Sequence, residues 1–432
     1  MNDWPWHFQG VTSRAPMRTT VIALLALGLS GALSPATANA QSATSPSLTL
    51  GQVYAAAVAR LPEMRSAPQR RAAAVAHERS AQAWTPEPVS FEASLKTDRI
   101  GSNNGSREWV GGVAVPLWLP GQRDAARLLA QAEAAAVDGA LMATSWRMAG
   151  EVRDAWWAAH LAQVDLDLAQ TRLVNAERLV ADVALRVRAG DLARADQHQA
   201  SGAVAAAQAE VATVKAARAQ SLLVLRRWTG PLAGAALEAV PEPLPRDAAA
   251  LDASTTAHPA LREWMARADV ARHAGAQARL LRRATPELAL AASRDRGSAG
   301  EPYGQSITIG LRFPFGADDR YQARVASAGA ELTEAETRLG LERERIAEDI
   351  EFARVRVALA RSAADAAEWR AVLARESKGF HDMAFRLGQI DLPARLRVEF
   401  EAIEAERQGA RARIELAHAI SQWRQALGLS PA

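Results

Sequence analysis

The sequence predicts a mainly α-helical, internally duplicated protein in which each copy runs helix, strand, strand, long helix, turn and helix. Each copy contains a proline in its second strand, a glycine turn between two long segments with a helical pattern of apolar residues, and a glycine at the end of its last helix. These three landmarks recur 198 positions apart, as Pro116 and Pro314, Gly190 and Gly388, and Gly230 and Gly428. One landmark is weak by itself, but three in a single register indicate a tandem repeat.

This register sets the boundaries of the copies. We expect a first repeat at 41–230 and a second at 248–432, joined by the Pro-rich segment 231–247. Residues 1–40 are expected to be an extension and signal peptide that is removed, because the apolar run 21–29 precedes the small-residue pattern of 38–40. Whether Met1 or Met17 is the true start stays open. The predicted elements are strands at about 87–98, 108–119, 286–296 and 304–315, long helices at about 122–188 and 320–386, and return helices at about 192–229 and 392–427.

An apolar seam runs along each long helix. In the first helix the residues alternate in steps of four and three, and every one is apolar: 148, 152, 155, 159, 162, 166, 169, 173, 176, 180, 183 and 187. The second helix repeats the seam from Ile346 to Ala374 and then interrupts it at Lys378 and His381. A sustained seam of this kind predicts coiled-coil packing, and its alanines allow close approach of neighbouring helices.

The strand segments alternate between apolar and polar residues. Val89, Phe91, Ala93 and Leu95 share one face, as do Ile307, Ile309, Leu311 and Phe313 in the last strand. About ten residues is the length of a tilted membrane-spanning strand, which predicts a small membrane β-barrel part. A soluble hairpin with one buried face has the same pattern, so both interpretations stay open at this point.

Composition argues against several classes of function. The 51 basic and 48 acidic residues are interleaved and leave a net charge of +3, whereas nucleic-acid binding requires a one-sided basic patch. The absence of cysteine excludes disulfides and thiolate chemistry. No histidine pair has metal-ligand spacing and no phosphate-binding loop is present. We therefore expect no enzyme activity, no cofactor and no bound metal.

The turns RVRAGDLARAD and FRLGQIDLPAR, the strands VAVPLWLPGQR and LRFPFGADDR, and the closing RRWTG and WRQALG resemble the TolC family of outer-membrane efflux proteins. The resemblance implies a homotrimer that spans the outer membrane of a Gram-negative bacterium and extends into the periplasm. Each subunit then gives four strands to a shared twelve-stranded β-barrel, and the helices form a trimeric α-helical tunnel. It also implies outer-membrane lipid, a periplasmic adaptor (a membrane fusion protein) and an inner-membrane pump as partners.

By the same resemblance, the two glycine turns are the periplasmic tips at which the adaptor docks. The residues expected to make this contact are Arg188, Gly190, Asp191, Leu192, Arg386, Gly388, Gln389 and Ile390. The resemblance also implies that charged residues just beyond the second tip constrict the tunnel. The candidates for such a periplasmic gate here are Asp196, Asp391, Arg395 and Arg397, although Ala394 and Arg397 stand where the family often has acidic residues.

The function predicted on these grounds is a passive outer-membrane duct of a tripartite efflux system. It would export small molecules or metal cations, and the heavy-metal branch of pumps is one expectation for its partner. Two alternatives stay open: a periplasmic coiled-coil adaptor, and an outer-membrane duct of type I secretion. An adaptor normally has a single helical hairpin, so the second hairpin in register argues against that alternative.

Overall fold

The computed structural model describes residues 48–230, 237–245, 257–315 and 319–431, all within one unit, Ser45–Ala432. The expected signal peptide, and the predicted linker except for 237–245, lie outside these residues. The first repeat contains α1 (Leu50–Arg60), α2 (Pro62–Ala81), β1 (Ser90–Thr97), β2 (Arg107–Pro116), α3 (Gln122–Ala189) and α4 (Arg194–Thr229). The second contains α5 (Pro259–Leu280), β3 (Glu287–Arg296), β4 (Gly304–Arg312), α6 (Asp319–Arg386) and α7 (Leu392–Ala426).

The two long helices, α3 and α6, have 68 residues each. At 1.5 Å per residue each is about 100 Å long. The seam predicted for α3 is buried or partly buried at every position from Met148 to Val187, and that of α6 likewise from Ile346 to Ala374. The predicted mainly helical, duplicated fold is confirmed. In the described part of the chain, no helix is both long and apolar enough to cross a bilayer.

The four strands form one antiparallel sheet in the order β1-β2-β3-β4. Pairing of β2 with β3, with Val113 opposite Leu290, joins the two repeats. Strand β2 ends at Pro116, earlier than the predicted 119, because a proline has no N–H with which to continue the ladder. The outer edges of β1 and β4 have no partner strand within the described chain.

The register places the apolar strand residues on one face of this sheet. Phe91 lies opposite Val113, Val113 opposite Leu290, and Leu290 opposite Ile309. Residues directly opposite one another point to the same face, so this apolar row crosses all four strands. Most of its large side chains are exposed, including Phe91 and Ile309. The other face carries small and polar residues such as Ser94 and Thr308.

A buried aromatic cluster packs the two repeats together midway along the helices. Trp156 and Trp157 of α3 are buried with Val53 of α1 and Leu225 of α4. The indole Nε1 of Trp157 donates a hydrogen bond to Oγ of Ser421 on α7, over 2.8 Å. The polar tip of this tryptophan therefore has a partner inside the core, as burial requires.

A buried ion pair fixes the described part of the linker to this core. Nε of Arg153 donates to Oε2 of Glu242 over 2.8 Å, and its Nη2 donates to Oε1 over 2.9 Å. Nε of Arg424 on α7 donates to the same carboxylate over 3.0 Å. Burial by itself raises the pKa of Glu242, but the hydrogen bonds and charges of the two arginines outweigh it and lower the pKa below its usual range. The linker carboxylate is thus held ionised between α3 and α7.

Candidate functional site

The first glycine turn is built by hydrogen bonds that only a left-handed residue permits. The N–H of Gly190 donates to the carbonyl of Val187 over 3.2 Å, and that of Asp191 donates to Arg186 over 2.9 Å. Gly190 has φ +88°, a conformation that costs other residues about 1–2 kcal/mol. This Schellman arrangement closes α3 and turns the chain into α4.

The second turn repeats the geometry. The N–H of Gly388 donates to Phe385 over 3.1 Å, and that of Gln389 donates to Ala384 over 2.9 Å. Gly388 has φ +71°. The carboxylate of Asp391 then caps α7 by accepting from the N–H of Ala394 over 3.0 Å. Two turns far apart in sequence therefore have one construction.

An apolar cluster holds the two turns side by side. Leu179 and Val183 of α3 are buried together with Ala200 of α4 and with Phe385 and Leu392 of the second repeat. Of the eight predicted docking residues, Leu192 and Ile390 pack against this cluster. The other six are exposed: Arg188, Gly190, Asp191, Arg386, Gly388 and Gln389. The tips thus present polar and glycine residues outward on a common apolar base.

Charged side chains surround Phe385 at the centre of this base. The guanidinium carbons of Arg186 and Arg395 lie 4.8 and 5.0 Å from the ring centroid, within cation–π range. Nη1 of Arg186 also donates to the carbonyl oxygen of Phe385 over 3.3 Å. Arg186 therefore fixes the end of α3 to the end of α6.

An ionic cluster fills the place where the apolar seam of α6 is interrupted. Lys378 donates from Nζ to Oδ2 of Asp382 over 2.9 Å, and Arg395 donates from Nε to Oδ1 over 2.8 Å. Burial raises the pKa of Asp382, but these hydrogen bonds and charges outweigh it and bring the pKa below its ordinary value. The carboxylate is therefore ionised at neutral pH and joins α6 to α7.

A polar cavity of about 370 Å³ lies beside this cluster, between α3, α6 and α7. Asp182 and Arg186 line it from α3, Lys378 and Asp382 from α6, and Glu399 from α7. Glu399 is buried, and its Oε2 has no hydrogen-bond partner among the described residues. The interior of the tip is thus polar, unlike the alanine-rich seam above it.

The structure gives the four predicted gate residues separate roles within one chain. The carboxylate of Asp196 accepts from the N–H of Ala193 over 3.0 Å at the start of α4, and Asp391 caps α7. Arg395 belongs to the Asp382 cluster, and Arg397 is exposed. In the described ranges, no side-chain hydrogen bond or ion pair joins these four residues to one another, although the backbone N–H of Arg395 donates to the carbonyl oxygen of Asp391 over 3.3 Å in the first turn of α7.

The sequence reasoning did not single out Asp382, Phe385 or Arg186. Asp382 follows Lys378 by four residues, the spacing of a helical ion pair, so part of the cluster could have been found from the interrupted seam. The contact of Arg186 with Phe385 joins residues of different repeats and has no local pattern. Among the described residues, no group of three or more His, Asp or Glu side chains is placed to hold a metal ion.

Two joined hairpins of long helices and one four-stranded sheet make up the fold, and solved outer-membrane channels share it. Residues 53–231 match the family model described as outer membrane efflux protein, which confirms the resemblance predicted from the sequence. No curated protein matches the sequence significantly.

Solved structures of several outer-membrane channels have the same fold. CusC, described in connection with folding and transmembrane channel formation, matches with a TM-score of 0.75 and 14% identity over 88% of this chain and 92% of its own. The CmeC outer membrane channel of Campylobacter jejuni matches with a TM-score of 0.70 and 14% identity. The match covers 89% of this chain and 86% of the CmeC chain. The MtrE outer membrane channel of Neisseria gonorrhoeae, in its open state, matches with a TM-score of 0.67 and 17% identity. The match covers 88% of this chain and 89% of the MtrE chain. The likeness covers both repeats.

Proposed function

We propose that this chain is one subunit of an outer-membrane efflux duct, in which three copies share a twelve-stranded barrel above a helical tunnel. The duct is passive, and an inner-membrane pump supplies the work. The observation that carries this proposal is the four-stranded sheet, whose apolar face is exposed and whose two outer edges are unpaired in the described chain.

The sheet suits a lipid environment better than water. Lipid cannot hydrogen-bond to open strand edges, so spanning strands must belong to a closed barrel. Strands of 8 to 10 residues with an apolar and a polar face have the dimensions of such a barrel wall. Four strands are too few to close one, which supports a barrel shared between copies.

The tips support contact with a periplasmic adaptor. Six of the eight predicted docking residues are exposed around two glycine turns of identical construction. The turns stand on a common apolar base, so an adaptor would meet a preformed surface. The charged interior of the same tip contains the ion pair of Asp382 and Arg395 between α6 and α7. We assign this region to gating. The other predicted gate residues, Asp196, Asp391 and Arg397, lie near the same turns.

The proposal is tested in cells that lack the gene and carry it on a plasmid. We expect the protein in the outer-membrane fraction, and we expect the deletion strain to accumulate at least one compound from a panel of dyes, antibiotics and metal salts. The plasmid should restore export. Release of the protein into the soluble periplasm by osmotic shock would contradict the duct and favour a periplasmic adaptor. Unchanged accumulation of every compound would contradict efflux.

A further inference from the structure

Charged residues are distributed unequally between the two faces of the four-stranded sheet. The polar face has charges of both signs: Glu92, Lys96, Glu108, Glu287, Asp295 and Arg312. On the apolar face, by contrast, every charged residue of strands β1 to β4 is an arginine: Arg107, Arg294 and Arg296. A wall that meets lipid excludes charges from its middle, so a group of three cations on this face needs a specific reason.

The three arginines lie together at the loop end of the sheet, away from the strand ends that continue into the helices. Arg107 is the first residue of β2, and Arg296, the last residue of β3, lies directly opposite. Their Cα atoms are therefore about 4.5–5.5 Å apart. Arg294 precedes Arg296 by two residues on the same face, about 7 Å along the strand. Three guanidinium groups thus share one small area.

The arginines of this cluster have no carboxylate partner in the described chain. Arg107 and Arg294 make no side-chain hydrogen bond or ion pair with any described residue. Arg296 uses its Nε, which donates to the carbonyl oxygen of Gly105 over 3.0 Å. Like charges directly opposite one another on neighbouring strands repel. The cluster therefore has the charge and the free donors to hold an anion.

The carboxylates at the same end of the sheet are occupied elsewhere. Asp98 accepts a backbone hydrogen bond over 2.6 Å within the loop between β1 and β2. Glu301 accepts two backbone hydrogen bonds, over 3.0 and 3.1 Å, within the loop between β3 and β4. Glu108 and Asp295 are paired in register and belong to the polar face. An anion for the three arginines therefore has to come from another molecule.

Aromatic side chains border the arginine cluster. Cζ of Arg294 lies 4.4 Å from the centroid of the Tyr303 ring, and Cζ of Arg296 lies 5.0 Å from it. These cation–π contacts hold both guanidinium groups against one ring. Trp109 lies directly opposite Arg294 and is 52% exposed. Trp and Tyr collect at the boundary between lipid tails and headgroups, so this pattern indicates headgroup depth.

We propose that the cluster of Arg107, Arg294 and Arg296 binds the phosphate of a lipid headgroup in the outer leaflet of the outer membrane. The inference rests on the proposed function, because a duct whose helices extend into the periplasm places the loop end of its sheet at the outer leaflet. Guanidinium groups bind phosphate oxygens through paired N–H donors, which suits an arginine cluster better than single cations.

A phosphorylated lipid suits this surface better than a dissolved anion does. The cluster continues directly into exposed apolar rows of the same face, which include Leu290 and Ile309. A molecule with both a phosphate and acyl chains therefore contacts the arginines and removes apolar surface from water together. A dissolved phosphate contacts the arginines alone.

The site is tested on the particle purified from membranes in mild detergent, with lipid binding measured by native mass spectrometry. The probes are a glycolipid that carries two phosphate groups and the same glycolipid after removal of both phosphates. Arg107→Gln with Arg294→Gln breaks no ion pair in the described chain, so the sheet should still form. We expect this variant to bind the phosphorylated glycolipid roughly 10- to 30-fold more weakly than the native chain does.

Two further measurements make the test specific. Lys96→Gln with Arg312→Gln is the matched control, since it removes two positive charges from the polar face of the same sheet and should leave binding unchanged. The native chain should bind the glycolipid without phosphates about as weakly as the arginine variant binds the phosphorylated one. This second comparison needs no substitution and so does not depend on the folding of any variant.

The outcomes separate the headgroup site from the proposed function. Equal binding of the phosphorylated glycolipid by the native chain and the arginine variant would overturn the site and leave the duct intact. Equal binding of the two glycolipids by the native chain would have the same meaning. Displacement of the glycolipid by inorganic phosphate at equal concentration would overturn the assignment to a lipid. Recovery of the native chain in the soluble periplasm would overturn the duct and the headgroup site together.

Discussion

Arg395 and Asp382 form the ion pair that links the two helices of the second tip, with 2.8 Å between Nε and Oδ1. Both side chains are less than one-fifth exposed, and Lys378 binds the other carboxylate oxygen. Replacing Asp382 by Asn removes a charged hydrogen-bond acceptor that two cations share. Such a hydrogen bond is worth about 1.5–3 kcal/mol.

For Asp382→Asn we therefore expect a locally weakened tip. Amide hydrogen exchange at residues 378–398 should become faster by roughly ten- to a hundredfold, while protection in the rest of α6 stays unchanged. Glu401→Gln, at an exposed position of α7, is the matched control and should not alter exchange. Because the pKa of Asp382 is lowered, its stabilisation is present above its unfolded pKa and is lost only as pH falls through the folded pKa. Equal exchange in Asp382→Asn and the native chain at pH 7 would contradict a linking role.

Proline at the tip glycines should abolish transport while leaving assembly intact. In Gly388→Pro, the ring fixes φ near −65° where the turn requires +71°, and it removes the N–H that donates to Phe385. Gly190→Pro likewise replaces a residue with φ +88° and removes the N–H that donates to Val187. We expect normal amounts of assembled protein by immunoblot and drug susceptibility equal to that of the deletion strain. Gly379→Ala, at an open position within α6, is the control and should transport normally. Full transport by both proline variants would contradict the docking assignment.

A charge on the apolar face of the sheet should prevent insertion into the outer membrane. Ile309→Lys places an ammonium group where the wall would meet lipid, at a cost of about 2–4 kcal/mol near the bilayer midplane. Thr308→Lys changes the next residue, on the polar face, and should be tolerated. The measurement is the amount of heat-modifiable, membrane-inserted protein in each variant. If both variants insert equally, the apolar face does not contact lipid.

Burial of His160 should make the helical core sensitive to acid. Desolvation lowers the pKa of His160 from its ordinary value to about 4, and the ring lies 4.9 Å from that of Trp156. The unfolded chain therefore binds a proton between pH 6.5 and 4 that the folded chain rejects, so the free energy of unfolding falls as pH drops through this range.

The chain contains a second histidine of this kind, since burial also lowers the pKa of His258 to about 4. We expect the thermal midpoint of His160→Leu to fall less between pH 7 and pH 5 than that of the native chain. The exposed His198→Leu should behave as the native chain does. Identical pH profiles for the native chain and His160→Leu would show that this ring is not the acid-sensitive group.

Features with a local pattern could be predicted from the sequence, and features that depend on three-dimensional register could not. The seam from Met148 to Val187 is buried because its spacing alone decides which face of α3 packs. By contrast, the contact of Arg186 with Phe385 and the ion pair of Arg153 with Glu242 join segments whose relative position no local pattern specifies.

The charged residues at the tip also include some whose role follows from a local sequence pattern and some whose partner does not. Asp391 and Asp196 were assigned to a gate, yet each also accepts a hydrogen bond from a backbone N–H at the start of a return helix. Asp at these positions is a common helix-start residue, so this role was readable from the sequence. The partner of Arg395 was not, since Asp382 lies on the other helix of the hairpin, across the turn.

The most direct test of the central claim is the mass of the purified particle in mild detergent, measured by light scattering with the detergent contribution subtracted. Three copies that share one barrel should give three times the mass of the processed chain. A particle with the mass of one chain would contradict the account, because a single four-stranded sheet cannot enclose a conduit.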